Sequence, residues 1–426
     1  MPSTKPGYSM YTDGNSYVFV APAAASIGTR NYETIQNAIA AVTDNTQTTI
    51  KMLKLNTYST PCSLSNKNIT FDLNGFGVIF NPTTVAIPLE ITNCNIDYTG
   101  TGVFKVISSV GYATGLSAVG GSCKLTYVET AAVAGNFAVV AANSATVQVN
   151  GDVNAPSGDG IFSRASIVTV VGNVKAINTG VSASQGSKVT INGTMNATTT
   201  YINFSGTRLT KNDFTLPSDF AGYALYTDNG TNKVYVKGTA PTITGSTSMS
   251  EQVGYTAFST SAFTTTGDPA PRVTKTTGNA SITWNDATKK LDIAPGLTAG
   301  TYPVTLAAQN GITPDGTFTF TLTVTNAAAV ENVEIQNLKI YPNPVKDQLR
   351  IKNDELRIEN VEIVDLSGRA VLMGEFNSPL QNDNPVGAYC IRQNETTINV
   401  SALPQGIYFV KITTDKGIVT RKLIKE

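Results

Sequence analysis

A short repeat restricts the fold of this chain more than any other feature of its sequence. Glycine recurs at a constant interval, and so does a valine four positions before each glycine: Gly151, Gly172, Gly193, Val147, Val168 and Val189. The period of about 20 residues is too short for repeats built from pairs of helices, which need about 33 to 47 residues. Alternating Val and Ile with Gly and Asn at the corners is instead typical of one coil of a parallel β-helix. This glycine–valine repeat therefore predicts a β-helix, with a β-sandwich of regular hairpins as the alternative.

The corners of the predicted coils carry small and polar residues. Glycine adopts a positive φ without a Cβ clash, so the repeated glycines predict that backbone conformation at the corners. Asn150 and Asn192 occupy one corner position two coils apart and predict an intermittent asparagine ladder, which Val171 interrupts. A weaker copy of the glycine–valine repeat starts at Leu125, about one period before Val147. It predicts that Leu125 and Val147 share a position in consecutive coils.

The region before the repeat contains a helical pattern and a family resemblance. Apolar residues spaced i, i+3, i+4 and i+7 predict an amphipathic helix over 32–42, which would cap the open end of the β-helix. These residues are Ile35, Ala38, Ile39 and Val42. Residues 68–80 read Asn-Ile-Thr-Phe-Asp-Leu-Asn-Gly-Phe-Gly-Val-Ile-Phe and resemble the early coils of pectate-lyase-like β-helix proteins. The resemblance implies a right-handed parallel β-helix, which we assign with its N-terminal capping helix to residues 1–238.

Residues 239–326 follow a different pattern. Two alternating strand-like runs, 299–311 and 318–324, are joined by a loop rich in Gly, Pro and Asp. This pattern resembles a bacterial immunoglobulin-like or cadherin-like module, which is a β-sandwich. Trp284, the only tryptophan, is assigned to the core of the module rather than to a sugar-binding platform. The stretch 327–337 is predicted to be a linker.

Three motifs occur in order in residues 338–426. They are Leu-Lys-Ile-Tyr-Pro-Asn-Pro at 338–344, Gly-Ile-Tyr at 406–408 and Lys-Leu-Ile-Lys at 422–425. Together they resemble the C-terminal sorting domain with which Bacteroidetes-type bacteria send cargo through the type IX secretion system. An ordinary C-terminal β-sandwich is the alternative.

The resemblance implies a fold, a route and two partners. The tail would be a second immunoglobulin-like β-sandwich that the type IX machinery reads and a sortase-like peptidase then removes, in or near the linker. The protein would pass through the periplasm to the outer-membrane surface or the extracellular space. The resemblance assigns the sorting signal to Tyr341, Pro342, Asn343, Pro344, Gly406, Tyr408, Lys422 and Lys425.

Composition excludes several classes of function. The chain has no histidine, which removes the commonest general base and metal ligand, so neither a metal site nor a cofactor is predicted. Net charge is zero, so no basic field is available for nucleic acid. No apolar run reaches the length of about 18–20 residues that a transmembrane helix needs. The four cysteines lack a C-x-x-C spacing and predict either buried free thiols or one disulfide: Cys62, Cys94, Cys123 and Cys390.

An enzyme built on the β-helix would depend on carboxylates. The best constellation is Asp152, Asp159 and Arg164. The position of Asp152 is taken one coil later by Asn173 and two coils later by Thr194, so no second acid stacks on it. A glycan-binding face would instead use scattered tyrosines, which are Tyr98, Tyr112, Tyr127, Tyr201, Tyr223 and Tyr226.

These patterns together favour a secreted or cell-surface protein without catalytic activity that binds or adheres to a glycan or to a host or matrix protein. A polysaccharide lyase or glycoside hydrolase on the β-helix is the first alternative, and a structural surface-layer or stalk protein is the second. The first residues lack the apolar core of a signal peptide. A trimmed mature form and an incomplete gene model are the two explanations.

Overall fold

The computed structural model is all-β and contains one short helix in the residues that it describes. These are residues 9–20, 22–111, 113–131, 135–228, 230–326, 338–353, 358–373, 395–414 and 417–426. The chain divides into two compact units, Met1–Thr325 and Asn326–Glu426. The predicted linker 327–337, Tyr112 and Cys390 lie outside the described residues.

The first unit begins with a hairpin and a helix. Strands β1 (Ser9–Thr12) and β2 (Tyr17–Val20) pair with each other, and they are followed by β3 (Ala25–Ile27), β4 (Arg30–Tyr32) and helix α1 (Ile35–Ala40). The helix is shorter than the predicted 32–42. It starts where the Thr34 side chain accepts a hydrogen bond from the Asn37 amide, an N-cap that satisfies a free helical donor.

A β-solenoid of about seven coils follows, with one strand of each coil in a seven-stranded parallel sheet. Strands β10 (Leu89–Thr99) and β12 (Leu116–Leu125) each bend across a corner, so that each takes the place of two shorter strands of a neighbouring coil. The solenoid strands are β5 (Thr48–Met52), β6 (Asn56–Tyr58), β7 (Cys62–Ser65), β8 (Asn68–Asp72), β9 (Gly77–Phe80), β10 (Leu89–Thr99), β11 (Val103–Ser108), β12 (Leu116–Leu125), β13 (Tyr127–Thr130), β14 (Phe137–Ala142), β15 (Thr146–Val149), β16 (Val153–Ala155), β17 (Asp159–Arg164), β18 (Ile167–Val170), β19 (Val174–Ala176), β20 (Thr179–Ser184), β21 (Lys188–Ile191), β22 (Met195–Ala197) and β23 (Thr200–Phe204). The all-β fold and the solenoid are therefore confirmed.

The glycine–valine repeat gives the strand register in the later coils. Val147 pairs with Val168, and Val168 pairs with Val189, in parallel ladders. All three side chains are fully buried and stack along the interior. The predicted position of Leu125 is wrong, because Leu125 pairs with Val149 rather than with Val147. The coil before Val147 is longer than the later coils, and an alignment of single positions could not show where its extra residues lie.

The repeated glycines have a different cause from the predicted one. None of the three has a φ in the left-handed region. A Cβ on Gly151 would instead lie 2.3 Å from the Thr126 carbonyl oxygen, and one on Gly193 would lie 2.4 Å from the carbonyl oxygen of Gly172. Glycine is required at this corner because consecutive coils approach too closely there for a side chain.

The last coil is covered by local strands and by the module that follows. Strand β24 (Thr207–Leu209) pairs with β23. Strands β25 (Tyr223–Thr227) and β26 (Lys233–Lys237) form a hairpin, and β26 also pairs with β21 in parallel. Arg272 of the next module donates to the carbonyl oxygens of Asn212 (3.0 Å) and Phe214 (3.3 Å). Ile312 of the same module is 3% exposed and belongs to the solenoid core. The module therefore packs directly on the solenoid.

This module is a β-sandwich with its own core. One sheet has the order β28-β35-β34-β31, a second has the order β29-β33-β32, and β27 pairs with β30. Trp284 is half-buried against this core, 6.0 Å from the ring of Phe263. The strands are β27 (Thr239–Thr244), β28 (Ser248–Gln252), β29 (Phe258–Ser259), β30 (Thr264–Asp268), β31 (Arg272–Thr277), β32 (Ile282–Asn285), β33 (Lys290–Ile293), β34 (Gly300–Gln309) and β35 (Gly316–Thr325).

The second unit contains two sheets around a separate core. Their orders are β36-β37-β40 and β39-β38-β41-β42, so β42 is an edge strand. The core consists of aliphatic side chains, with Tyr408 at its margin. The strands are β36 (Leu338–Tyr341), β37 (Gln348–Asn353), β38 (Ile358–Val364), β39 (Ala370–Met373), β40 (Glu395–Asn399), β41 (Gly406–Thr414) and β42 (Gly417–Lys425).

Candidate functional site

Tyr341 and Asn343, the polar residues of the Tyr-Pro-Asn-Pro motif, bond to different parts of the second unit. The Tyr341 hydroxyl donates to Glu395 Oε1 at 2.8 Å, and Arg350 Nη1 lies 3.3 Å from the same oxygen. The hydrogen bond from Tyr341, aided by the charge of Arg350, lowers the pKa of Glu395. The same bond raises the pKa of Tyr341, because the neutral hydroxyl is the donor. Tyr341 is thereby fixed to β40, away from the terminal strand.

Asn343 binds the backbone of the terminal strand β42. Its Nδ2 donates to the Lys422 carbonyl oxygen at 2.7 Å, and its Oδ1 accepts from the Ile424 amide at 2.9 Å. Val345 continues the contact, because its amide donates to the Ile424 carbonyl oxygen (2.8 Å) and its carbonyl accepts from the Glu426 amide (2.9 Å). Residues 343–345 thus lie along part of the outer edge of β42, and we call them the edge cover.

The four sorting-signal residues outside the Tyr-Pro-Asn-Pro motif lie in the β41–β42 hairpin. Gly406 pairs with Lys425, and Tyr408 pairs with Leu423. The Tyr408 hydroxyl donates to the Pro404 carbonyl oxygen at 2.9 Å, which fixes the turn before β41. Lys425 is 8% exposed, whereas Lys422 is exposed. The structure therefore brings Asn343, Gly406 and the two lysines together at one end of the hairpin.

Asp152 begins a ladder that joins three coils of the solenoid. Its Oδ1 accepts from the Asn173 amide at 2.6 Å and from Asn173 Nδ2 at 3.2 Å. Asn173 Oδ1 in turn accepts from the amide and the hydroxyl of Thr194, both at 2.9 Å. We call Asp152, Asn173 and Thr194 the corner ladder. Asn173 and Thr194 take the position of Asp152 in the next two coils, so the ladder contains a single acid.

Asp159 also joins coils, at a buried position. It is 5% exposed, and its two carboxylate oxygens accept from the Gly135 amide (2.7 Å) and the Thr179 amide (2.8 Å). Arg164 is exposed, and its Nη2 lies 3.4 Å from Asn143 Oδ1. The contacts of both Asp152 and Asp159 are thus with backbone and side-chain donors of neighbouring coils, which is a structural use of a carboxylate.

The corner asparagines bind tyrosines instead of each other. Asn150 Nδ2 donates to the Tyr98 hydroxyl at 2.6 Å, and the Tyr223 hydroxyl donates to Asn192 Oδ1 at 2.8 Å. Val171 lies between them at the same corner and is 43% exposed. We call Tyr98, Asn150, Val171, Asn192 and Tyr223 the corner stripe. The predicted asparagine ladder is wrong as a ladder, but its two asparagines orient two of the tyrosines that the sequence suggested.

Phe220 widens the corner stripe at one end. Its ring stacks on that of Tyr223, with centroids 4.3 Å apart and planes 3° from parallel. Phe220 is 41% exposed. By contrast, Tyr201 and Tyr226 are buried and have no surface for a ligand, so their assignment to a glycan-binding face is wrong.

A further polar cluster on the seven-stranded sheet is not predicted by the sequence patterns. Glu129 accepts hydrogen bonds from the Tyr127 hydroxyl and from Asn154 Nδ2, and Lys105 lies 5.4 Å from the centre of the Tyr127 ring. Burial is the main cause that raises the pKa of Tyr127 to about 12, and the bond to Glu129 adds to it. Asn154 is the strand partner of Glu129 in the next coil. Their separation in the chain is longer than one period of the glycine–valine repeat, so the repeat did not connect them.

Three cysteines are buried free thiols in the first unit. Burial raises the pKa of Cys62 to about 11 and that of Cys123 to about 12. No group of three or more His, Cys, Asp or Glu side chains suited to a metal ion occurs among the residues that the structure describes. In the same part of the chain, no helix is long and apolar enough to cross a membrane.

The comparisons with known proteins identify the tail. Residues 339–426 match the family of the secretion system C-terminal sorting domain. A domain of this family supports export by the type IX secretion system to the cell surface or the extracellular space. No curated protein matches the chain.

Solved structures resemble parts of the chain only distantly. One is the SGBP-B protein of the Bacteroides ovatus mixed-linkage glucan utilization locus in complex with a mixed-linkage heptasaccharide (12% identity, 44% of this chain, 47% of that one, TM-score 0.17). A second comprises extracellular domains 3–5 of Drosophila OTK (14% identity, 46% of this chain, 64% of that one, TM-score 0.22). A third comprises immunoglobulin domains 1–5 of Sidekick-1 (14% identity, 51% of this chain, 47% of that one, TM-score 0.17). The chain spans less than two thirds of each.

Proposed function

We propose that this protein is a non-catalytic binding or adhesion protein of a Bacteroidetes-type bacterium, displayed on the cell surface or released. In this proposal, residues 1–238 form a right-handed, pectate-lyase-like β-helix capped by α1, residues 239–326 form an immunoglobulin-like module, and 338–426 form the sorting domain. The machinery reads the sorting domain, and a sortase-like peptidase then cuts in or near 327–337.

The corner stripe carries the binding part of the proposal, with a glycan as the ligand. Two tyrosine rings are fixed through their hydroxyls by asparagines that lie two coils apart, about 10 Å along the solenoid axis. Lys124 Nζ lies 5.2 Å from the centre of the Tyr98 ring, and Phe220 stacks on one face of Tyr223. Aromatic surface beside polar groups of this kind suits the alternating CH and OH surfaces of a sugar. Asp152 and Asp159 use their carboxylates to bond neighbouring coils, and this structural use supports binding of a glycan without its cleavage.

Export is tested by removing residues 338–426 in the producing bacterium. We expect the truncated protein to accumulate in the periplasm, because the matched sorting domain is then absent. Cell fractionation and protease accessibility on intact cells measure the distribution, with the full chain as the control. Normal surface display of the truncated protein would contradict the export mechanism.

Binding is tested with the purified full chain on arrays of glycans and matrix proteins, while release of reducing ends or unsaturated products is assayed in parallel. We expect glycan binding without product release, and loss of binding for Tyr223→Ala. Tyr223→Phe keeps the ring and loses only the bond to Asn192, so it should weaken binding less. Product release that Asp152→Ala or Asp159→Ala abolishes in folded protein would favour the enzymatic alternative.

A further inference from the structure

Described residues cover only one half of the outer edge of the terminal strand β42. In an antiparallel strand, alternate residues direct both backbone groups to the same side. The edge cover bonds to the Lys422 carbonyl, to both backbone groups of Ile424 and to the Glu426 amide, so these alternate residues are the ones that direct their backbone groups outward. By the same alternation, Ile418 and Thr420 direct their amides and carbonyls outward, on the side where no described strand neighbours β42.

Two features of the sequence stop the edge cover at Asn343. Pro342 and Pro344 have no amide hydrogen, so only Asn343 and Val345 could donate from the backbone of this segment. Upstream of Pro342, the side chain of Tyr341 is held by Glu395 on the other sheet. The chain therefore leaves the edge of β42 before it can reach Thr420.

The uncovered half has the properties of a docking edge. Natural proteins usually protect a free strand edge, because its backbone groups pair readily with another extended chain. Here Ile418 is 54% exposed beside these groups, of which the Thr420 carbonyl oxygen accepts a long hydrogen bond (3.4 Å) from Arg421 Nη1. Arg421 lies in this half and Lys422 at its border with the edge cover. Neither forms an ion pair with any described carboxylate, so their positive charge is not compensated by such a pair.

We propose that a protein of the export machinery binds the sorting domain by adding an extended, acidic segment to β42 at residues 418–421. Main-chain hydrogen bonds supply the affinity in this mode of recognition, and side chains supply the specificity. The edge cover keeps the rest of the edge closed and so sets where the partner strand ends. This inference rests on the proposed export function and specifies the surface that the machinery contacts.

Proline at position 420 gives a selective test in the full chain. Thr420→Pro removes one outward amide, while an edge strand accepts proline where its amide faces solvent. Thr420→Ala changes the side chain but keeps the amide, and it is the matched control. We expect roughly tenfold less exported protein for Thr420→Pro and normal export for Thr420→Ala, since one lost hydrogen bond weakens association by about that factor.

Hydrogen exchange at the amides of β41 measures whether the hairpin is intact in each variant. Ile418→Pro is the second edge variant, should Thr420→Pro disturb the hairpin. The charge component is tested by Lys422→Glu, which should reduce export, against Lys339→Glu on β36, which should not.

The outcomes separate this inference from the export function. Normal export of folded Thr420→Pro and Ile418→Pro, with retention of the protein that lacks 338–426, overturns the docking edge and leaves export through the sorting domain standing. Equal losses for Thr420→Pro and Thr420→Ala also overturn it, because the side chain rather than the backbone would then matter. Normal surface display of the truncated protein contradicts the export function itself.

Discussion

The corner ladder of the solenoid and the edge cover of the sorting domain both use a side-chain oxygen or amide to hold a distant backbone. In the ladder, Asp152 and Asn173 each bind a residue 21 positions later. In the edge cover, Asn343 binds residues 79 and 81 positions later, and the contact occurs once.

The corner ladder and the edge cover differ in how many other interactions hold the same part of the chain. A lost contact in the ladder leaves the strand pairings above and below it in place, because each coil is held by three parallel ladders. The edge cover holds the outer edge of β42 with four hydrogen bonds at a single place, while β41 holds the other edge. We therefore expect polar substitutions in the ladder to be tolerated better than the loss of Asn343, while a change of coil spacing should be tolerated least.

The largest effect is expected from a substitution that forces neighbouring coils of the solenoid apart, because no other contact can compensate for a change of coil spacing. Gly172→Ala would place a Cβ 2.3 Å from Asp152 Oδ1 and 2.6 Å from the backbone of Gly151. We expect it to lower the free energy of unfolding by about 3 kcal/mol, since backbone cannot move away without separating the coils. Urea unfolding followed by circular dichroism measures it, while the fluorescence of Trp284 reports separately on the β-sandwich module. Gly111→Ala, where no atom lies within 4 Å, is the control and should be nearly neutral.

Asp159→Ala comes next, because it leaves two amides without their acceptor at a buried site. We expect a loss of about 2 kcal/mol in the free energy of unfolding. The exposed Asp152→Ala should lose less in the same measurement, because water can replace its acceptor. A larger loss for Asp152→Ala would contradict the redundancy of the corner ladder.

Asn343→Ala removes two hydrogen bonds from the end of β42. We expect a local loss of about 1 kcal/mol, seen as faster hydrogen exchange at the Ile424 amide while β41 stays protected. Asn360→Ala is the control, because that exposed side chain bonds Glu362, at 3.3 Å, and lies away from β42. Unchanged exchange at Ile424 would show that Val345 is sufficient to hold the outer edge of β42.

The smallest effect is a dependence on pH at the Tyr341–Glu395 bond. The pKa of Glu395 in the folded protein is lowered from 4.5. Its contribution to the free energy of unfolding is therefore present above pH 4.5 and is lost as the pH falls through the lowered value. The pKa of Tyr341 is raised from 10.0, so its contribution is complete below pH 10.0 and is lost above it. Hydrogen exchange of β37 and β40 across the acidic range should depend on pH less in Glu395→Gln. Glu359→Gln should behave as the parent protein does.

The sequence predicted the later coils well because their geometry repeats. Equal coils place Val147, Val168 and Val189 in one row whatever the details of the turns. The prediction was wrong at Leu125, where the length of the coil changes. The predicted cause of the corner glycines, a positive φ, was also wrong. Close approach between coils depends on the neighbouring backbone, which a local sequence pattern does not contain.

The tail motifs were found from the sequence, but their contacts were not. No period connects Asn343 with Lys422, and only the pairing of β41 with β42 brings the last strand within reach of the edge cover. The corner stripe shows the same limit, since Tyr98 and Asn150 are 52 residues apart. Side-chain partners of this kind follow from the packing of whole coils and sheets.

The buried thiols of the solenoid bear on how the chain tolerates different redox environments. With pKa values of about 11 and 12, Cys62 and Cys123 contain very little thiolate near neutral pH. Disulfide exchange requires thiolate and an accessible sulfur, and the folded solenoid offers almost none of either at these positions. Once folded, this part of the chain can thus move from a reducing to an oxidising compartment without acquiring mispaired cross-links there.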